Sequence, residues 1–205
     1  NLKNIQMRVN KGKGIVRKIL NILEGIPFGK LYYQVAVLLR NSLLVSSLLC
    51  NSEAWFNLTN SELDLLETAD LSLLRSILSA PQSTPKEMLF LELGVLPLRD
   101  IIRQIRLNFL FYILNQDSDS MMYKVFQSQC KHQTSKDWVI TVKADLKYLG
   151  LNVNFEDIKQ ISKAKWKSTI KKSIREKSLE RLNILKMKHS KVKDLKHLGV
   201  QMQSY

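Results

Sequence analysis

Apolar residues recur at steps of three and four positions along most of the chain, and no segment alternates with a period of two. The first such row predicts a helix that ends at Gly25 and Pro27. Its members are Ile5, Val9, Val16, Ile19, Leu20 and Leu23, with Gly12 on the same face. A missing side chain at Gly12 permits close approach of another helix. Further helices are predicted from about 30 to 50, 98 to 115, 138 to 149 and 163 to 187. We therefore expect an all-α chain, with helix in more than about half of its residues.

Two capping boxes predict where helices begin. Thr59 is the expected N-cap of one helix, and Glu62 is the acidic residue that closes its box. In the second, Thr84 caps, Pro85 takes the first helical position, Glu87 closes the box, and Gly94 ends the helix. Capping accounts for Glu87 better than an active-site role does, because a lone carboxylate does little chemistry.

The helix predicted near residues 98–115 carries two faces. An apolar row is expected to pack inside: Leu98, Ile102, Ile105, Phe109 and Tyr112. On another face, Arg99, Arg103 and Arg106 follow at four- and three-residue spacing. Three guanidinium groups on one ridge suit phosphate binding. The alternative is a solvated face paired with Asp100 and neighbouring acids, and the spacing does not decide between them.

A basic row marks the last predicted helix. Its members recur at four-residue steps: Lys159, Lys163, Lys167, Lys171 and Arg175. Beside them lies an apolar row of Trp166, Ile170, Ile174 and Leu182, which makes Trp166 a core anchor rather than a base-stacking platform. Such a basic row can follow a phosphate backbone. The pattern favours phosphate contact. The alternatives are the solvated face of an amphipathic helix, which is compatible with such contact, and contact with anionic lipid.

Charge and composition limit the function classes. The chain has 205 residues, 45% hydrophobic, and a net charge of +14. Residues 131–205 hold 18 Lys/Arg against 7 Asp/Glu, whereas residues 1–130 hold 14 against 11. This concentration favours a polyanion partner, with nucleic acid first and acidic membrane second. Two cysteines are too few for a disulfide scaffold and indicate a reducing compartment, cytoplasmic or nuclear. A first residue of Asn rather than Met indicates an excerpt.

No catalytic constellation is evident. The adjacent acids Glu156 and Asp157 follow Asn154 at a predicted helix start, where they complement the helix dipole. Cys130 and His132 supply only two of the four ligands that zinc needs. We therefore expect no metal, no cofactor and no catalysis by this chain alone. The apolar run 35–49 is too short for a membrane span and is interrupted by Arg40, so it predicts a buried helix.

One segment carries a specific pattern. The turn Asn51, Glu53, Ala54, Trp55 leads to a leucine-rich helix, and two further groups follow: Thr84, Pro85 and Glu87, then Glu92, Leu93, Gly94, Pro97 and Arg99. This order resembles the region after the polymerase core in reverse transcriptases of non-LTR (LINE-type) retrotransposons. Flanking matches extend the resemblance over nearly the whole chain, at 11–14, 26–29, Leu39 with Arg40, 137–139 and 189–191.

The resemblance implies an organisation and a function. Residues 1–118 would form a thumb-like helical bundle, and residues 119–205 a basic helical region leading toward a C-terminal domain. The chain would grip the RNA and DNA of a template-primer duplex through backbone contacts, beside the remainder of a parent polyprotein whose activity is RNA-directed DNA polymerisation. It lacks the catalytic palm. The alternatives are a helical protein-interaction module and a retroelement remnant without function.

Overall fold

The computed structural model describes residues 2–132, 134 and 137–188. Helix makes up 77% of these residues and none of them lies in a strand, so the all-α prediction is confirmed. None of the described helices is long and apolar enough to cross a membrane. The predicted motif residues His189, Ser190 and Lys191 lie outside the described part of the chain, as does the side chain of Leu182.

The chain forms two compact units that are discontinuous in sequence. Of the described residues, the first unit contains 2–50, 58–99 and 182–188, and the second contains 51–57 and those between 100 and 181. The expected boundary near residue 118 falls inside the second unit, after the helix that ends at Leu114. The assignment of separate roles to 1–118 and 119–205 stays a prediction.

The first unit is a set of helices packed on two long ones. Helices α1 (Leu2–Glu24) and α4 (Asn60–Leu78) make its largest interface. Between them in sequence, α2 (Lys30–Leu39) continues through a π-helical segment, Arg40–Val45, into a short α3 (Ser46–Leu48). Helix α5 (Lys86–Glu92) packs on α4 around Leu74, Leu89 and Phe90. The apolar run 35–49 is thus helical as far as Leu48, as predicted, but it is only partly buried, since Leu38 and Leu43 are exposed.

Gly12 allows α1 to approach its neighbours closely. A Cβ atom there would lie 2.9 Å from Leu48 Cδ2 and 3.3 Å from the Ala69 Cβ. Both distances are shorter than ordinary carbon contacts, so only glycine fits without displacing a neighbour. The predicted role of Gly12 is confirmed, and its neighbours are α3 and α4.

Arg40 lies inside the first unit rather than at its surface. Its guanidinium donates to both oxygens of Asp70, at 2.7 and 2.6 Å, and to the Leu96 carbonyl oxygen at 3.0 Å. Arg40 and Asp70 are 1% and 0% exposed. A buried charge is tolerated only when it is paired and hydrogen-bonded. The polar interruption of the apolar run is therefore a core ion pair.

The helix caps agree with the sequence at α4 and differ at α5. Thr59 Oγ1 accepts from the Glu62 N–H, and the Glu62 carboxylate accepts from the Thr59 N–H, which completes the predicted box. At α5 the prediction is wrong by one residue, since Pro85 occupies the N-cap and makes no side-chain cap bond. A proline at that place fixes φ and cannot cap, so the Thr84 box does not form. Gly94 ends α5 with φ +63°, as expected.

The second unit contains most of α6 (Leu98–Leu114), then α7 (Met121–Lys131), α8 (Trp138–Tyr148), α9 (Phe155–Gln160) and α10 (Lys163–Lys188) as far as residue 181. The sequence pattern did not predict α7, although Ser120 caps it by accepting from the Tyr123 N–H. The short 3-10 turn Ser52–Ala54 also belongs here. Gly150 follows α8 with φ +68°, which confirms the predicted end of that helix.

The apolar row predicted for α6 is correct only at its start. Leu98 and Ile102 are buried, but Tyr112 is 52% exposed. The buried positions farther along are Leu107, Leu110, Ile113 and Leu114. Because neighbours cover α6 on more than one side, the buried face is wider than a single row and includes positions that the predicted stripe omits.

Candidate nucleic-acid interface

Helix α10 is anchored through its apolar row. Ser162 caps its start, accepting from the Lys165 N–H at 3.3 Å. Trp166, Ile170 and Ile174 are each at most 1% exposed. The indole N–H of Trp166 donates to the Leu107 carbonyl oxygen at 3.0 Å. Trp166 is therefore a core anchor, as predicted, and the apolar row fixes which side of α10 faces solvent.

The solvent side of α10 carries a continuous basic surface. Six side chains of this stretch are basic and all are exposed: Lys163, Lys165, Lys167, Lys171, Lys172 and Arg175. No Asp or Glu occurs from 163 to 175. Acids return at Glu176 and Glu180, and Lys177 there pairs with Glu180 at 2.6 Å. We call residues 163–175 the basic face of α10.

The basic face of α10 is electrostatically unbalanced. Within the described chain, no carboxylate lies within salt-bridge distance of Lys163, Lys165 or Lys167. These three lysines occupy the first turns of the helix, where the dipole is positive and acidic residues are favoured. Lysines at this end repel both one another and the helix dipole. A polyanion would relieve that repulsion.

Lys159 belongs to a different helix from the rest of the row. It lies near the end of α9, and Ile161 and Ser162 separate α9 from α10. Its ammonium group is exposed and stands 5.8 Å from the centre of the Tyr123 ring. The strict four-residue spacing therefore spans a break, and only Lys163 to Arg175 follow one helix.

Arg99 is used inside the first unit. Its guanidinium donates to Glu67 at 3.0 Å and to Asp64 at 2.9 Å. Glu67 is a buried carboxylate that also receives Lys86 at 3.3 Å. Arg99 thus neutralises an acid that α4 carries into the core, and the charge of its side chain, 23% exposed, is already balanced.

Arg106 is a structural residue of the second unit. It is 4% exposed, forms an ion pair with Asp145, and donates to the Trp55 carbonyl oxygen at 3.1 Å. Trp138 donates its indole N–H to the Glu53 carbonyl oxygen at 2.7 Å. The turn around Trp55, which carries the family resemblance, is therefore fixed by two buried donors. Arg106 cannot reach a phosphate without breaking its pair with Asp145.

Arg103 lies between two acids and an aromatic ring. It donates to Asp100 at 2.9 Å, approaches Asp145 at 3.3 Å, and stacks 3.9 Å above the centre of the Tyr148 ring. Arg181 completes the cluster by pairing with Asp100. All three arginines of α6 are thus paired with acids, but only Arg103 pairs with Asp100, and Arg106 is buried rather than solvated. Asp145 and Arg181 are distant in sequence, and no local signal indicates their role.

Burial sets the electrostatics of this cluster. It raises the pKa of the Asp145 carboxyl above its ordinary value, while Arg106 and Arg103 act in the opposite direction. The Asp100 carboxylate is also buried, with two arginines around it. Arg103, Arg106 and Arg181 thus offset the cost of taking two acids out of water, which ties α6, α8 and α10 together.

The described residues contain no group of three His, Cys, Asp or Glu placed to hold a metal ion. Cys50 and Cys130 are not joined in a disulfide. Burial raises the pKa of the Cys130 thiol, which disfavours the reactive thiolate. The acids Glu156 and Asp157 lie in the first turn of α9, and Asp157 accepts from the Asn154 N–H at 3.2 Å. Both acids thus lie where they complement the helix dipole, as expected.

No protein-family model, curated protein or solved structure matches this chain. The resemblance to non-LTR reverse transcriptases therefore stays a prediction from the sequence.

Proposed function

We propose that this chain is a non-catalytic region of a non-LTR retrotransposon reverse transcriptase that binds the template-primer duplex. The basic face of α10 would contact the phosphates of the RNA and DNA. One observation carries the proposal: residues 163–175 present six exposed basic side chains and no acid on a helix whose other side is fixed in the core. Phosphate contacts position a protein on a duplex without reading its sequence.

The ion pairs of the α6 arginines limit which basic residues we propose for phosphate binding. Arg99, Arg103 and Arg106 are paired with acids, so their contribution to phosphate binding would require exchange of partners. Within the described chain, Lys163, Lys165 and Lys167 have no acid within salt-bridge distance and need no such exchange. Each lysine that neutralises a phosphate releases a condensed counterion. We therefore assign most of the binding free energy to α10 and a minor part to Arg99 and Arg103.

A salt titration tests this assignment. If about five phosphates of an RNA–DNA duplex are neutralised, the logarithm of affinity should fall against the logarithm of salt concentration with a slope near −4 to −5. The triple variant Lys163→Gln, Lys167→Gln, Lys171→Gln should flatten the slope by roughly two to three. Glutamine has nearly the helix propensity of lysine, so circular dichroism should stay unchanged.

The matched control removes charges from elsewhere on the second unit. Lys124, Lys143 and Lys147 are exposed lysines outside the basic face of α10, and their triple glutamine variant should leave the slope close to that of the parent. Equal slopes for the parent and the α10 variant would contradict the proposal, as would an absence of binding at low salt. Primer extension with magnesium should give only background, because the palm is not in this chain.

A second candidate, a protein-interaction module, is favoured by one surface of the first unit. Phe28, Leu31 and Leu38 are 71%, 64% and 63% exposed. Leu31 and Leu38 lie two helical turns apart on the same side of α2. If this apolar surface mediates association, sedimentation should show self-association or low solubility, and Leu31→Gln with Leu38→Gln should abolish it. A monodisperse monomer at high concentration would remove this candidate.

A further inference from the structure

Helix α1 carries a second basic surface, on the other unit. Residues 2–24 contain six Lys/Arg and a single acid, Glu24 at the end. Five of the basic side chains are exposed: Lys3, Lys11, Lys13, Arg17 and Lys18. Within the described residues, no carboxylate lies within salt-bridge distance of any of these five. The charge count for residues 1–130 conceals this surface because an acidic stretch follows it.

Four of these basic residues, Lys3, Lys11, Arg17 and Lys18, lie opposite the face that packs inside, and Lys13 lies beside that face. The buried row consists of Ile5, Val9, Gly12, Val16, Ile19 and Leu23. At 100° per residue, Gly14 falls at the middle of the opposite, solvent side. Its helical neighbours, three and four positions away, are Asn10, Lys11, Arg17 and Lys18. From Lys3 to Lys18 the surface extends about 22 Å along the helix.

Gly14 has no structural explanation, in contrast to Gly12. A Cβ atom at Gly14 would meet nothing within 4 Å, whereas one at Gly12 would collide with Leu48. Glycine is the least favourable residue after proline inside a helix. A glycine here leaves the helix backbone uncovered between the basic side chains of Lys11, Arg17 and Lys18. This suits the close approach of an extended anion to the helix.

We propose that the exposed side of α1, centred on Gly14 and bearing Lys11, Lys13, Arg17 and Lys18, is a second binding surface for a nucleic-acid phosphate backbone. The inference rests on the proposed function for the class of partner, but it concerns another helix and another unit. A membrane surface fits less well, because an interfacial helix must bury its apolar face in lipid. The buried row of α1 is already packed inside the first unit, and the helix exposes three separate large apolar side chains, Leu2, Met7 and Ile22, rather than a continuous apolar face.

Charge variants test the surface in the full chain. We expect Lys11→Gln with Lys18→Gln to flatten the salt slope for an RNA–DNA duplex by about 1.8, or 0.9 per phosphate. The control Lys124→Gln with Lys147→Gln removes the same charge elsewhere and should change the slope far less. If the α1 pair behaves like this control, the inference is overturned, while a flattened slope in the α10 triple variant would leave the proposed function standing. Unchanged slopes in both would overturn both.

Variants of Gly14 test the close approach separately from charge. Gly14→Ala should raise Tm by about 2–4 °C, because alanine is the better helix former and meets no neighbour. Gly14→Gln keeps the charge but covers the backbone, and should weaken duplex binding roughly threefold or more without lowering Tm. Binding by Gly14→Gln that equals the parent would overturn the role of Gly14. A last experiment measures binding to phosphatidylserine vesicles. If Lys11→Gln with Lys18→Gln lost vesicle binding but kept duplex binding, the partner of this surface would be lipid.

Discussion

The basic residues of α6 and those of α10 look alike in sequence and differ in the structure. Arg99, Arg103 and Arg106 each contact at least one buried or partly buried carboxylate. Lys163, Lys165 and Lys167 are exposed, and the stretch around them contains no acid. The spacing of three or four residues is common to both. The difference lies in the acids that the fold brings near each row.

This difference separates two physical roles of positive charge. A guanidinium group can bind a carboxylate with two parallel hydrogen bonds, which suits it to neutralise acids inside a protein. An ammonium group is a strongly hydrated point charge that remains at the surface and exchanges counterions readily. In this chain, Arg40 and the arginines of α6 pair with acids inside the two units. Lysines, together with Arg17 and Arg175, supply the surfaces that we propose for nucleic acid.

The largest effect should come from the arginine that is most deeply buried. Asp70→Ala leaves the Arg40 guanidinium, 1% exposed, without its carboxylate. An unpaired buried charge costs about 3–5 kcal/mol, which should appear as a loss in the free energy of unfolding measured in urea. Asp64→Ala is the control, because Asp64 is exposed and its loss should cost about 0–1 kcal/mol. Similar losses for both variants would contradict the structural role of Arg40.

The next largest effect on the free energy of unfolding should come from removing a basic residue of α6, compared with removing one of α10. Arg106→Gln removes a buried donor from Asp145 and from the Trp55 carbonyl, and should cost about 3 kcal/mol of unfolding free energy. Lys167→Gln on the basic face of α10 should stay within about 0.5 kcal/mol. For duplex affinity we expect the reverse order at a temperature where both variants are folded. A stable Arg106→Gln variant with weakened duplex binding would contradict the structural role of Arg106 and would indicate that it binds phosphate.

Helix positions were predictable because the information is local. The steps of three and four residues located α1, α6 and α10, the Thr59 box located the start of α4, and Gly94 located the end of α5. Helix α7 was missed, since its only start signal is Ser120 and its single buried residue is Phe126. The Thr84 box failed for a local reason too, because the fold starts α5 one residue later and puts proline at the cap.

The candidate site was predictable only in part, because pairing depends on distant residues. The basic face of α10 could be predicted from its own sequence. The apolar row indicates which side chains of the helix are exposed, and the stretch 163–175 contains no acid. Arg106 forms its ion pair with Asp145, which lies 39 positions away in sequence. Arg40 pairs with Asp70, which lies 30 positions away. No periodicity encodes such contacts. A charge count over shorter windows would have detected the basic surface of α1.

Arg99 offers an intermediate case between buried arginine and exposed lysine. Arg99→Gln leaves Glu67 buried with Lys86 as its remaining cation. Because Lys86 stays in place and Arg99 is partly exposed, we expect a loss of about 1 kcal/mol in unfolding free energy. Lys86→Gln should cost about the same, and the double variant should cost more than the sum of the two. Additive losses would show that Arg99 and Lys86 stabilise Glu67 independently of each other.

The smallest effect concerns the pH dependence of stability that comes from Asp145, the acid that contacts Arg103 and Arg106. Burial raises the pKa of Asp145 in the folded state above the value of about 3.9 that an unfolded chain gives. The folded state therefore binds this proton more tightly than the unfolded state. The stability that Asp145 contributes is fully present below its unfolded pKa and is lost as the pH rises through its folded pKa.

Urea unfolding of the parent and of Asp145→Asn, measured from pH 3.5 upward, isolates this contribution. Asparagine keeps the shape and cannot titrate, so the difference in unfolding free energy, parent minus variant, should decrease as the pH rises above about 3.9. Arg103 and Arg106 oppose the effect of burial and keep the change small. A difference that increases with pH would mean that the arginines outweigh burial. Asp145 would then behave as an ordinary stabilising partner of Arg106, and its ion pair would strengthen rather than weaken toward neutral pH.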